Sequence, residues 1–138
     1  MGRAQSDGFA EAVEDVSAAV QRITAGEARP YLDCWAHADE VTLFGAWGPI
    51  EKGRQQIADT FAWVGARFRG PGLETEIVTS ANSGDLAYTI GFERGLAAID
   101  GGPERPMTIR VTHLYRREDG EWRLIQRHAD FPPKDPRK

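Results

Sequence analysis

Cysteine is nearly absent, with Cys34 alone among 138 residues. That excludes an intrachain disulfide and a cysteine-based metal site. Long apolar runs are missing too. No segment approaches the roughly 20 apolar residues of a membrane-spanning helix, and the N-terminus shows no apolar core of a secretory signal. The start, Met1-Gly2-Arg3-Ala4-Gln5-Ser6, fits an acylation pattern only formally, on two residues. Positive charge is in deficit: 17 Lys and Arg stand against 21 Asp and Glu, a formal net charge of −4. A phosphate backbone needs a basic surface, so nucleic acid is not the expected partner. These absences lead to the expectation of a cytoplasmic protein with no membrane partner, no metal and no cofactor.

What is present is ordinary globular composition: 41% hydrophobic and 28% charged residues. Such a chain fits one domain over 1–138, with an ordered core of about 7–131 and a frayed tail at 132–138. Residues 7 to 25 read as an amphipathic helix capped by Ser6 or Asp7, with Phe9, Val13, Val16, Val20 and Ile23 at helical spacing. Gly26 stops it. A short helix follows over 27–36, with Pro30 in its first turn. Residues 41–46 read as a strand, Trp47-Gly48-Pro49 as a turn, and 52–69 as the longest helix, ended by Gly70-Pro71-Gly72. Strands are expected over 73–81, 85–99, 105–117 and 121–131. Helices first and an antiparallel meander after is α+β segregation, with three helices covering one face of the sheet.

The richest segment runs from Met107 to Phe131. Two strand-like runs flank Asp119-Gly120, the dipeptide of a tight hairpin turn. Arginines alternate with apolar residues along both runs, so one face is expected to be wet or to bind something charged.

Nearly the whole chain resembles the SnoaL-like group of the nuclear-transport-factor-2-like superfamily. The resemblance rests on Trp35-Ala36-His37-Ala38-Asp39-Glu40-Val41, on Gly48-Pro49-Ile50-Glu51-Lys52-Gly53, and above all on Arg110 through Arg117, Asp119-Gly120-Glu121-Trp122 and His128-Ala129-Asp130. The chain also resembles ketosteroid isomerase-like proteins and the calcium/calmodulin-dependent kinase association domain. The resemblance implies a cone-shaped α+β barrel: three N-terminal helices on a curved, mostly antiparallel sheet. It says little about function, because this fold hosts enzymes, binding proteins and assembly modules.

The isomerase mechanism needs a carboxylate base, a tyrosine and a protonated aspartate. The resemblance puts those positions at Leu43 or Phe44, at Ala19 and at Thr112, none of which fits. Epoxide-hydrolase-like members use an Arg-x-Asp and a second Asp; here only Arg110 matches.

A two-residue turn would pair Thr112 with Arg127, giving Arg110, Thr112 and Leu114 one face with Ile125, Arg127 and Ala129; a longer turn would swap the sets. The resemblance turns residue 112 toward the cavity. Arg110, Thr112 and Arg127 are therefore the expected ligand-binding residues, with Trp47, Tyr88 and Phe92 lining the cavity. Two arginines suit an anion, or pair with internal acids such as Asp130, Asp33 or Glu93. His128, Asp130, His37 and Asp39 are weak acid–base candidates. Trp35 and Trp63 are expected in the core, Trp122 in the core or an interface, and Cys34 as a small buried hydrophobe.

Two functions stay open at this level. One is a small-molecule binding protein or enzyme whose ligand is anionic or carbonyl-bearing. The other is a dimeric assembly module with a vestigial cavity. In both, the uncovered sheet face, with Val111, Tyr115 and Trp122, is expected to make a homodimer.

Overall fold

The computed structural model describes residues 8–134. The proposed Ser6 or Asp7 cap, the acylation pattern and the end of the tail lie outside the described residues. Helix α1 spans Phe9–Ile23 and α2 spans Arg29–Asp33. Strands β1 (Thr42–Phe44) and β2 (Ile50–Lys52) precede helix α3 (Arg54–Arg67). Four long strands follow: β3 (Phe68–Ser83), β4 (Leu86–Ile99), β5 (Arg105–Glu118) and β6 (Glu121–Asp130). They form one six-stranded sheet in the order β2-β1-β6-β5-β4-β3. The sheet is curved but not closed, and all neighbours are antiparallel except β1 and β6. The α+β architecture expected from the sequence is the one observed. No described helix is long and apolar enough to cross a membrane.

Three details depart from the expectation. The short strand β2 takes up Ile50 and Glu51, for which no element is expected, and Lys52, expected to start the long helix. The turn at Trp47-Gly48-Pro49 joins it to β1 as a hairpin, with Gly45 N–H donating to Pro49 O. Gly70-Pro71-Gly72 does not separate helix from strand either: β3 already starts at Phe68, and the tripeptide sits in a register shift between Arg69 and Gly72. Gly72, at φ +85°, lies where a Cβ would meet the Gln21 carbonyl, so α1 crosses β3 against bare backbone.

The third departure decides the site. Asp119-Gly120 does make a two-residue turn, pairing Glu118 with Glu121 and Tyr115 with Leu124. A β-bulge then adds Ile125 to β6, so Leu114 pairs with Gln126, His113 with Arg127 and Thr112 with His128. One extra residue turns the strand over relative to simple alternation. Trp122 and Leu124 before the bulge, and Arg127 and Ala129 after it, all face the helices.

The core follows from these faces. Val16, Val20 and Ile23 of α1, and Ile57 and Phe61 of α3, pack with Tyr31, Trp35, Leu43, Tyr115 and Leu124. A second cluster joins Phe68, Leu73, Ala97, Ile109, Val111 and Ala129. Thr24 ties α1 to β3: its buried hydroxyl donates to Val20 O (2.8 Å) and accepts from Leu73 N–H (2.7 Å).

Candidate functional site

A pocket of about 60 Å³ opens between the helices and the sheet. Its wall is apolar: Val20 and Ile23 from α1, Leu43 from β1, Phe61 and Val64 from α3, and Ile109 from β5 all contribute. Trp47 and Trp63, 45% and 49% exposed, stand at its rim. Trp47 packs edge-on against Phe68 and Phe131 at 5.4 and 4.9 Å, and Trp63 lies under the Arg67 guanidinium at 4.2 Å. Trp63 is thus not the core residue expected from its helical position, whereas Trp35 and Trp122 are buried.

Besides the Thr24 and Thr60 hydroxyls, the polar groups in this apolar wall are Glu93 from β4, Arg127 from β6 and Tyr31 from α2. Each reaches it for a local reason. Alternation along β4 turns Ala87, Thr89, Gly91 and Glu93 inward. The Ile125 bulge turns Arg127 inward. Tyr31 is held over the sheet because the chain after α2 docks on β6: Ala36 N–H donates to Leu124 O and Leu124 N–H to Cys34 O, both at 2.9 Å.

Arg127 grips Glu93 in a fork, with Nη1 donating to Oε2 at 2.6 Å and Nη2 to Oε1 at 2.8 Å. Side-chain exposure is 11% for Arg127 and 1% for Glu93. Arg127 Nη1 also donates to Tyr31 Oη at 3.4 Å. Behind this, Tyr31 Oη lies 2.6 Å from Nε2 of buried His113. Burial, reinforced by the positive charge of Arg127, holds the His113 pKa well below the ordinary histidine value. Its imidazole is neutral at physiological pH. Burial also raises the Tyr31 phenol above its ordinary range; Arg127 opposes that rise and Glu93 adds to it. For Arg127, burial favours the neutral form, but the charges of Glu93 and Tyr31 and the hydrogen bonds to both together outweigh it, and the guanidinium is held charged.

The expected site residues separate onto two faces. Arg127 and Trp47 line the pocket. Arg110, Thr112, Tyr88 and Phe92 do not: they share the opposite face of the sheet, where Phe92 pairs with Arg110 and Tyr88 with Leu114. They share one face, as alternation requires, but it is the face away from the pocket, because the inward position on β5 is 113 rather than 112. Arg110 is half exposed and forks onto Asp130 at 2.7 and 2.8 Å. That hydrogen bond raises the Arg110 pKa and lowers that of Asp130. His128 stands on the same open face, edge-on to Phe44 at 5.3 Å. His37 and Asp39 are exposed in the loop before β1. None of these four acid–base candidates touches the pocket. Val111, Tyr115 and Trp122, expected on the uncovered face, are 6%, 1% and 7% exposed on the helix side.

Glu93, Tyr31 and His113 carry the polar chemistry of the interior, and sequence reading did not select them as site residues. A signal existed for Glu93: it is an acid in the apolar alternation of a central strand. Cys34 donates to Pro30 O at 3.5 Å, and burial pushes its thiol up to about 11, which makes it a poor nucleophile. Among the described residues no group of three or more His, Cys, Asp or Glu side chains could hold a metal ion.

Several solved structures share this fold. A ketosteroid isomerase-like protein from Erwinia carotovora atroseptica superposes with TM-score 0.79 at 17% identity, covering 94% of this chain and 98% of its own. A protein from Streptomyces avermitilis, provisionally named a dehydratase of the NTF2-like family, gives TM-score 0.73 at 20% identity over 92% and 95%. A protein from Thiobacillus denitrificans, provisionally named a calcium/calmodulin-dependent protein kinase type II association domain, gives 0.70 at 26% identity over 91% and 95%. No curated protein matches the chain significantly. Residues 13–133 match the family described as the SnoaL-like domain, and with nearly the whole length matched the chain belongs to that family.

Proposed function

We propose that the protein binds a small molecule in the pocket between helices and sheet, with Arg127, Glu93 and Tyr31 holding the ligand's polar group. The observation that carries this reading is the Glu93–Arg127 pair in an apolar wall. Removing two charges from water is costly, and apolar residues of similar volume usually stabilise a core as well or better. A pair placed there, lining an open pocket, is better explained by a ligand than by stability. The names of the isomerase-like and dehydratase relatives belong to proteins of 20% identity or less, and likeness at that level extends to the fold alone.

The test is a titration of small neutral and charged fragments against the full chain, followed by protein-observed NMR. Shifts should concentrate on residues lining the pocket. Ala46→Phe, which places a ring in the pocket, should weaken any binder by at least about tenfold, roughly 1.4 kcal/mol. A binder indifferent to that substitution would place the ligand elsewhere.

The open face of the sheet supports a second reading, homodimerisation, compatible with the first. Tyr88, Ile90 and Leu114 are 37–41% exposed there and side by side on the adjacent strands β4 and β5. A contiguous apolar patch of this kind suits a self-complementary interface. Sedimentation should give a dimer at micromolar concentration, and Ile90→Glu a monomer. A monomeric wild type would end this reading and the assembly-module alternative with it.

A further inference from the structure

We infer that the pocket selects a small neutral carbonyl compound, a carboxamide above all, and rejects a carboxylate of the same size, because Glu93 already fills the anion's place on Arg127. The inference rests on the small-molecule reading above and adds the charge of the ligand.

A guanidinium recognises a carboxylate through two parallel N–H donors. In this protein that fork is closed by an internal carboxylate, at 2.6 and 2.8 Å. The remaining polar lining offers no second cation. Tyr31 hydrogen-bonds to His113, and the Thr24 hydroxyl is spent on Val20 and Leu73. The Thr60 hydroxyl donates to Glu51 at 2.7 Å. An incoming anion would therefore meet one compensated cation and one buried carboxylate, with little water to screen their repulsion.

Neutral acceptors meet a different site. Arginine has five N–H donors. Two go to Glu93 and one to Tyr31, which leaves Nε–H and one Nη2–H. Each Glu93 oxygen takes one bond from Arg127 and keeps lone pairs to spare. Donor and acceptor thus stand together in the pocket wall, and a carboxamide presents the complementary pair: a carbonyl for Arg127 and an N–H for Glu93. A ketone satisfies the first half only. The small volume limits the ligand to a few heavy atoms unless Trp47 or Trp63 swings aside.

The charge rule is tested with isobutyramide and isobutyrate, which have the same shape and differ in charge, titrated against the full-length protein at pH 7.5 by NMR. The amide should bind at least about tenfold more tightly than the carboxylate. In Glu93→Gln the fork of Arg127 is released, and the order should reverse in favour of isobutyrate. If that variant does not fold with its buried guanidinium unpaired, Glu93→Gln combined with Arg127→Met removes both charges and should bring the two affinities within about twofold. Equal or tighter binding of isobutyrate to the wild type overturns the charge rule and leaves the pocket reading standing. So does an unchanged ratio in a folded variant. Failure of both probes and of every neutral fragment to shift pocket residues overturns the pocket reading, and the charge rule with it.

Discussion

Tyr31 Oη lies 2.6 Å from Nε2 of His113 and shares a hydrogen bond with it. Arg127 Nη1 donates to the same phenol oxygen at 3.4 Å. His113 is held neutral by burial, with the positive charge of Arg127 adding to the effect. Arg127, Tyr31 and His113 thus form a connected chain from the pocket into the core.

Removing the middle link should leave both ends unsatisfied. Tyr31→Phe keeps the ring between Trp35 and Phe61 and removes only the oxygen. A destabilisation of about 1–3 kcal/mol is expected for the exposed deficit in a buried network, measured as the loss in urea unfolding free energy. Unchanged stability would mean that water replaces the hydroxyl.

The neutral state of His113 predicts a pH dependence. Its folded pKa lies below the unfolded value of 6.5, so the unfolded chain binds the proton first as pH falls. Stability is therefore full above pH 6.5 and declines below it, until the folded imidazole itself protonates. Between pH 7.5 and 5.5 this one group should cost about 1.4 kcal/mol. His113→Gln should lose that component, seen as the difference between the two stability profiles.

Arg110 and Arg127 should behave oppositely toward a pocket ligand. Arg110 faces away from the pocket and holds Asp130, so Arg110→Ala should leave isobutyramide affinity within about twofold. Arg127→Met should weaken it by about tenfold or more, roughly 1.4 kcal/mol. Equal effects in a titration would mean that the ligand lies across the sheet edge instead.

Steroid isomerisation should be absent. Leu43 lines the pocket where the resemblance places the catalytic base, and a cavity of about 60 Å³ does not admit a four-ring substrate. Incubation with a Δ5-3-ketosteroid should produce no conjugated enone by absorbance. Turnover lost in Ala46→Phe would contradict both arguments.

Local patterns, together with the resemblance to the SnoaL-like group, were enough for the architecture. Period-3.6 apolar spacing marked α1 and α3, and Asp119-Gly120 marked the last hairpin and its two-residue turn. These signals are local: each depends on residues within a few positions of one another. Short segments were less legible, because β2 is three residues long and held by its partner strand rather than by its own composition. The candidate site depended on which face each strand turns inward, and a single bulge at Ile125 decided that. Nothing in Leu124-Ile125-Gln126-Arg127 announces an unpaired residue. The bulge is selected because it lets Trp122 and Leu124 pack under α1 and α2 while Arg127 still reaches Glu93, 34 positions away in sequence. Residue chemistry alone requires counter-charges for buried arginines, and Glu93 and Asp130 are among the acids the chain offers. That Arg127 goes inward with Glu93 and Arg110 outward with Asp130 follows from strand register and long-range packing, which no local pattern of residues specifies.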